Sequence, residues 1–345
     1  YYLRYIDPLS DDVIADPTSE RYWMGADSAE TGGVDLYVGG VEHAVLHLLY
    51  SRFWHKVLFD LGHVSTPEPF KRLINQGYIQ AYAYVDGRGI YVEAEEVEES
   101  NGTYTHNGEP VTRLYGKMGK SLKNSVTPDD MYRTYGADTL RLYEMFMGPI
   151  DQDRPWETKS VVGSHRLLQR IWRNLVDEDT GELTVDDSDP SNELLRVLHR
   201  TIDSVSTDMS NLSFNTAIAR VTELNNELTK LDGPTPRAVA DPLVRMIAPL
   251  VPHVAEELWQ RMGNATSVVY ADFPTADAAL LVEDMVEIPV QIKGKVRSRV
   301  SVAADADEPT TQATALADPR IAELIDGQEV RKVIVIPGKL VNIVV

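Results

Sequence analysis

The chain has 345 residues, a formal net charge of −20 at pH 7, 43% hydrophobic residues and no cysteine. That length predicts two or three domains, and the missing cysteines exclude disulfides and thiolate metal sites. Apolar runs are too short to span a bilayer, and the acidic balance argues against a generic nucleic-acid binder, because phosphate contacts need Lys and Arg.

No signal peptide is visible, and a reducing, cytoplasmic setting is expected. The chain opens Tyr1-Tyr2-Leu3-Arg4-Tyr5 without an initiator Met, which reads as the interior of a longer chain. Residues 34–38 alternate as a short strand, which Gly39-Gly40 is expected to break. Val41, Val45, Leu48, Leu49, Phe53, Val57 and Leu61 then recur at helical spacing up to Gly62, a helix stop. Strand, glycine turn and helix form the arrangement in which α/β sheets take ligands at the carboxyl ends of their strands. Strands are predicted over 78–84 and 89–93. An acidic run at 93–99 follows, with turn signals at Asn101-Gly102 and Asn107-Gly108. This is an inserted hairpin region with no metal-ligand pattern.

Next comes Lys117-Met118-Gly119-Lys120-Ser121, on a loop after a strand and before a helix opened by Thr127-Pro128-Asp129. Two lysines three apart on a loop can both reach a run of phosphates. The plain alternative is an ordinary Lys/Gly/Ser surface loop. Helices then dominate, over 138–147, 157–178, 191–209, 214–231, 235–249 and 252–262, with linkers at 151–155 and 186–190. The helix from 157 carries Leu167, Leu168, Ile171 and Leu175 on one side, with Arg166, Arg170 and Arg173 nearby. An antiparallel bundle is its natural packing.

From Glu287 the hydrophobic period changes to two. Val290 and Ile292, then Val296, Val300 and Val302, flank Gly294. A helical patch follows near 309–326. Residues 330–336, Pro337-Gly338 and 340–345 form a hairpin, completing a small α+β domain on a short linker near 277–287. Residues 288–345 hold 8 Lys/Arg and 7 Asp/Glu, a net of +1 against −21 for the remainder, so phosphates are repelled least here. Lys293, Lys295, Arg297 and Arg299 alternate, which places four cations on one strand face. A solubilising strand face is the alternative.

Gly39 and Gly40 permit close backbone approach of a ligand. Glu42 at the helix start can accept from ribose hydroxyls, or can simply complement the helix dipole. His43 and His47, four apart, share a helix face. They are ligand-pocket residues, core or surface histidines, or a metal pair lacking a third ligand and the metalloprotease order. Tyr37 is either a pocket wall or ordinary core.

Asp35-Leu36-Tyr37-Val38-Gly39-Gly40-Val41-Glu42-His43-Ala44 with His47, the lysine loop, and Tyr135-Gly136-Ala137-Asp138 resemble class I aminoacyl-tRNA synthetases, more narrowly the bacterial leucyl type. The resemblance runs through nearly the whole chain and is most specific at 35–55 and 113–148. The family's loop reads Lys-Met-Ser-Lys-Ser, so Gly119 departs at the middle position, which keeps both lysines and loses a hydroxyl. The His-Ile-Gly-His-type signature and the editing insert of the family are not found. The chain thus resembles the C-terminal part of such an enzyme.

The resemblance implies an α/β partial Rossmann-like catalytic half over 1–150, a helical anticodon-stem bundle over 151–275, and a small α+β tRNA-binding domain over 288–345. It implies an ATP-dependent leucine–tRNA ligase whose fragment alone is inactive. Lys120 and Lys117 would be catalytic, with Gly39, Gly40, Glu42, His43, Met118, Lys120 and Ser121 on ATP. Tyr1, Tyr37, His43 and His47 would border leucine, and Lys293, Lys295, Arg297 and Arg299 would meet tRNA. Expected partners are ATP, with Mg²⁺ carried by it, leucine and tRNA(Leu), with no membrane and a monomeric state. A sister enzyme for valine, isoleucine or methionine, or a non-catalytic RNA-binding fragment, is the rival.

Overall fold

The computed structural model describes residues 2–25, 32–282, 285–304 and 306–345. These fall into two compact units, residues 1–190 with 201–274, and residues 191–200 with 275–345. The stretches read as a catalytic half and as a helical bundle therefore lie in the first unit together. The second unit takes in 275–287 and the start of a long helix as well as 288–345.

The first unit opens with α1 (Tyr2–Ile6) and α2 (Pro17–Met24), then β1 (Tyr37–Gly40), α3 (Leu46–Asp60) and β2 (Leu73–Gln76). Asp16 caps α2 by accepting from the amides of Thr18 and Ser19, and Pro17 presets its first turn. β1 and β2 run parallel, with Gly39 opposite Asn75 and Gly40 opposite Gln76. The two glycines thus belong to the strand and do not break it, because the parallel partner supplies the register. β3 (Ile79–Val85) and β8 (Thr112–Lys117) form an antiparallel ladder edged by β4 (Tyr91–Val92). Between them β5 (Val97–Ser100), β6 (Thr103–His106) and β7 (Glu109–Pro110) build the expected hairpin insertion. Its turns at Asn101-Gly102 and Asn107-Gly108 have positive φ throughout, between 50° and 80°. The Arg113 guanidinium lies 4.2 Å over the Tyr82 ring and 4.5 Å over the Tyr104 ring, tying the insertion to the ladder.

α4 (Pro128–Tyr135) and α5 (Ala137–Phe146) follow, joined by Gly136 at φ 84°. Residues 151–155 are not a free linker. β9 (Arg154–Pro155) pairs parallel with the start of β3, and the Gly77 amide donates to the Ile150 carbonyl at 2.9 Å. A Cβ on Gly77 would run into the backbone of Gln152, so glycine is required for this close approach.

Then come α6 (Thr158–Arg173), β10 (Val185–Asp186), α7 (Asn192–Ser210), α8 (Phe214–Leu228), β11 (Thr235–Pro236), α9 (Arg237–Ile247) and α10 (Pro252–Arg261). The second predicted linker, 186–190, likewise starts on a strand, since β10 pairs parallel with β11. α6 buries Val161, Leu167, Leu168 and Ile171, the side its spacing predicts. Asp138, itself buried, accepts from the Val254 amide at 2.7 Å and from the His253 imidazole at 2.8 Å, which caps α10 from α5.

In the second unit, α11 (Ala278–Leu281) precedes β12 (Met285–Ile292), β13 (Lys295–Ala303), α12 (Glu308–Ala317), α13 (Pro319–Ile325), β14 (Lys332–Ile336) and β15 (Leu340–Val344). The sheet order is β13-β12-β15-β14, with β12 and β15 parallel. Ile288, Val290, Val300, Val302, Ala315, Ile321, Val341 and Ile343 form its core. The predicted linker near 277–287 is partly fastened. Arg196 donates to the Val282 carbonyl at 2.8 Å, and the Asp277 amide donates to His199 Nδ1 at 2.9 Å.

Candidate active site

Two clusters carry the predicted site residues. The first is built where β1 ends. Gly40 leads into a 3-10 turn over Val41–His43, and only then does α3 begin at Leu46. His43 and His47 therefore do not share one α-helix, as their spacing predicts, because the glycine-led strand end hands over through a tighter turn. They meet all the same, with ring centroids 5.9 Å apart and edge to face. The Tyr37 hydroxyl is hydrogen-bonded to His47 Nε2, and the Tyr37 ring stacks on Phe70 at 4.2 Å. Tyr37 and His47 are half-buried, while Glu42 and His43 are exposed. The Glu42 carboxylate folds back over the Cα of Gly40, in the space a side chain there would take. A Cβ on Gly39 would come no closer than 3.9 Å to the Tyr37 ring, the nearest group to it among the described residues beyond its chain neighbours. Tyr1 lies outside the described residues.

The second cluster is the lysine loop. Lys117 ends β8 opposite Gln80, and Lys120 opens a 3-10 turn over Lys120–Leu122. Lys117, Lys120 and Ser121 are exposed and Met118 is half-buried. Neither Lys117 nor Lys120 is in an ion pair among the described residues, whereas Lys123 sits 3.3 Å from Glu93. Gly119 has an extended backbone, φ −175°, and open space where a side chain would stand. Sequence spacing gave no sign of the group that fixes this loop. Asn124, 5% exposed, accepts from the Gly119 amide at 2.9 Å and donates to the carbonyls of Lys117 and Ala81 at 3.2 and 3.4 Å.

The two clusters share a scaffold. Gly40 pairs with Gln76, and Gln80, four residues on, pairs with Lys117. Extended-chain geometry keeps Gly40 and Lys117 within about 24 Å of each other. Among the described residues no group of three or more His, Cys, Asp or Glu could hold a metal ion. No described helix is long and apolar enough to cross a membrane.

The predicted cation face departs from expectation. Lys293 has φ 50° and, with Gly294, forms the turn between β12 and β13. Lys295, Arg297 and Arg299 are exposed on β13, but the pairing shifts by one residue next to Arg297, which interrupts the alternation. Arg299 also faces Glu287 at 3.4 Å. A turn residue and a bulge thus replace the single row of four.

Residues 191–312 match the anticodon-binding domain of tRNA ligases. The fold superposes on a leucyl-tRNA synthetase of Agrobacterium radiobacter K84, solved as a ternary complex with tRNA and LeuAMS. The TM-score is 0.72 at 28% identity, covering all of this chain and 41% of that one. The chain is 62% identical over its whole length to the leucine–tRNA ligase of Saccharopolyspora erythraea and 60% identical to that of Streptomyces avermitilis. It is similar to these leucine–tRNA ligases along its whole length and spans 36–37% of theirs.

Proposed function

We propose that the chain supplies part of the catalytic and tRNA-facing machinery of a leucine–tRNA ligase. Such an enzyme joins leucine to ATP as leucyl-adenylate, releasing pyrophosphate, and passes leucine to the terminal ribose of tRNA(Leu). The observation that carries this reading is the pair Lys117 and Lys120, unpaired among the described residues on a loop fixed by Asn124, in a chain 62% identical to such a ligase. The two ammonium groups stabilise charge building on the phosphates as the leucine carboxylate attacks. Positioning and electrostatics suffice, with no covalent intermediate. Mg²⁺ enters with ATP, held by phosphates and water.

Glu42, Gly39, Gly40 and His43 border the adenosine in this reading, with Met118 and Ser121 framing the phosphates. Tyr37, His43 and His47 wall the leucine side chain, an aromatic surface suited to an aliphatic ligand. The partial Rossmann-like reading of the first unit belongs to this proposal, supported by the parallel β1–β2 pair ending in glycines. So does a tRNA role for 288–345, supported by exposed Lys295, Arg297 and Arg299.

The test is leucine-dependent pyrophosphate exchange by the full-length ligase carrying this chain. Lys120→Ala is expected to slow it about a hundredfold or more, leaving leucine binding without ATP unchanged. Exchange at the wild-type rate, or exchange driven by valine, isoleucine or methionine in place of leucine, would sink the reading. Deleting 288–345 should weaken tRNA charging, steeply with salt, and spare exchange. Normal charging at low tRNA concentration would remove the tail from the tRNA site.

A further inference from the structure

We propose that Asn124 is the positioning residue of the lysine loop. It is a buried amide that holds Lys117 and Lys120 where both can meet one polyphosphate. This rests on the ligase reading for its kinetic consequence and on the geometry alone for its structural one.

Gly119 stands at the centre of the loop. Its φ of −175° is open to any residue and nothing stands where its side chain would be, so neither strain nor packing holds the loop at its centre. Glycine in such a position raises the freedom the loop must lose to become ordered. The 3-10 turn beyond it is a single turn, and Lys123 leaves it in the left-handed region at φ 53°. Its far end is tied down, since the Lys123 carbonyl accepts from the Ala94 amide at 2.9 Å and the Lys123 ammonium lies 3.3 Å from Glu93, but these contacts leave the stretch from Lys117 to Lys120 free to fray.

Asn124 supplies the missing constraint from one point. Its oxygen takes the Gly119 amide, and its NH₂ gives to Lys117 O on one side and to Ala81 O on the neighbouring strand. The loop is thereby closed onto β3 and β8 at the residue before Lys120 and at Lys117 itself. Burial at 5% exposure makes each of these bonds costly to lose, since the groups left behind have little water to turn to. Asparagine is the side chain that can accept and donate here at once. Aspartate keeps the acceptor and loses both donors.

The structural arm uses the 345-residue chain and trypsin, which cuts after lysine and arginine. Asn124→Ala is expected to raise cleavage after Lys117 and Lys120 about tenfold, relative to cleavage after Arg170 inside α6, which requires that helix to unfold. Asn124→Asp should fall between the wild type and the alanine variant. It keeps the test decisive if the alanine variant unfolds and Arg170 is cut as fast. Cleavage unchanged in both variants overturns the proposal.

The kinetic arm uses leucine-dependent pyrophosphate exchange by the full-length ligase. Asn124→Ala, which removes all three of these hydrogen bonds, should lower kcat roughly tenfold to thirtyfold, with KM for leucine within about twofold. A loosened loop with unchanged kcat overturns the positioning role, provided Lys120→Ala is slow. A change in leucine KM alone does the same. If Lys120→Ala is itself without effect, the ligase reading fails while the trypsin result still decides what Asn124 does to the loop.

Discussion

Helices α3 and α6 are near twins in sequence pattern and opposites in the fold. Each has an apolar face at helical spacing. α6 hides its face, with Val161 0% and Ile171 2% exposed. α3 shows its face to solvent, with Leu46 67%, Leu49 60%, Phe53 62% and Trp54 60% exposed. The one buried residue of α3 is polar, His55. Its Nε2–H donates to the Thr66 carbonyl at 2.7 Å, so its Nδ1 accepts from the Tyr2 hydroxyl. Periodicity therefore identifies which face of a helix is apolar. It says nothing about whether another part of the same chain covers that face.

Ile171→Ala on α6 is expected to cost about 2–5 kcal/mol, through lost burial and the cavity left behind, read from denaturant unfolding of the first unit. Phe53→Ser on α3 should change the same midpoint by no more than about 0.5 kcal/mol and should reduce self-association. Equal losses from the two variants would show that the α3 face is covered in the chain as it stands.

A middle-sized effect sharpens the contrast. His55→Ala should cost about 1–3 kcal/mol, because the Tyr2 hydroxyl and the Thr66 carbonyl lose their shared partner. That is more than any single exposed aromatic of α3 should cost. Urea midpoints of His55→Ala and Trp54→Ala, compared side by side, decide it.

The smallest effect is one of pH. Burial pushes the His55 imidazole below its ordinary 6.5, so the folded state resists protonation. The contribution is therefore complete above 6.5 and is lost as pH falls from there through the lower folded value. Glu68, held by Arg52 and Lys56 down to about 2, stays ionised through that range and cannot imitate the change. Loosening of α1 between pH 7 and 5, absent in His55→Ala, is the expected result of hydrogen exchange at residues 2–6.

The helices of the bundle were legible because each repeats one strong signal over many residues. The six predicted spans agree with α5 to α10 to within a few residues, apart from a longer overrun at the end of α6. The β14–β15 hairpin was legible from alternation and from Pro337-Gly338, and alternation on either side of Gly294 marked β12 and β13, but Lys293, read as a strand residue, belongs to the turn. β1 was misjudged because its partner β2, Leu-Ile-Asn-Gln, carries no pattern of its own and only the pairing draws the glycines into the strand. The lysine loop and the meeting of His43 with His47 could be read from local spacing, whereas Tyr37 beside them was implied only by the family resemblance. Asn124, Asp138 and His55 could not, since a polar side chain is buried by residues distant in sequence. Asp138 reaches His253 and Val254, and Asn124 reaches Ala81.

The order β13-β12-β15-β14 has a kinetic meaning. β12 can zip onto β13 through the tight turn at Lys293-Gly294, whereas β15, its other neighbour, lies about fifty residues further along the chain. Local pairing closes quickly and distant parallel pairing waits on loop closure. Refolding should protect the amides of the β12–β13 hairpin before those of 341–343 in pulsed hydrogen exchange. During that interval one side of β12 is a bare edge, open to another chain. Pro289 sits on it next to Val290, where the β15 pairing begins, and offers no N–H to an intruder. A residue with no evident task in the finished sheet thus acts as a guard while the sheet is being made.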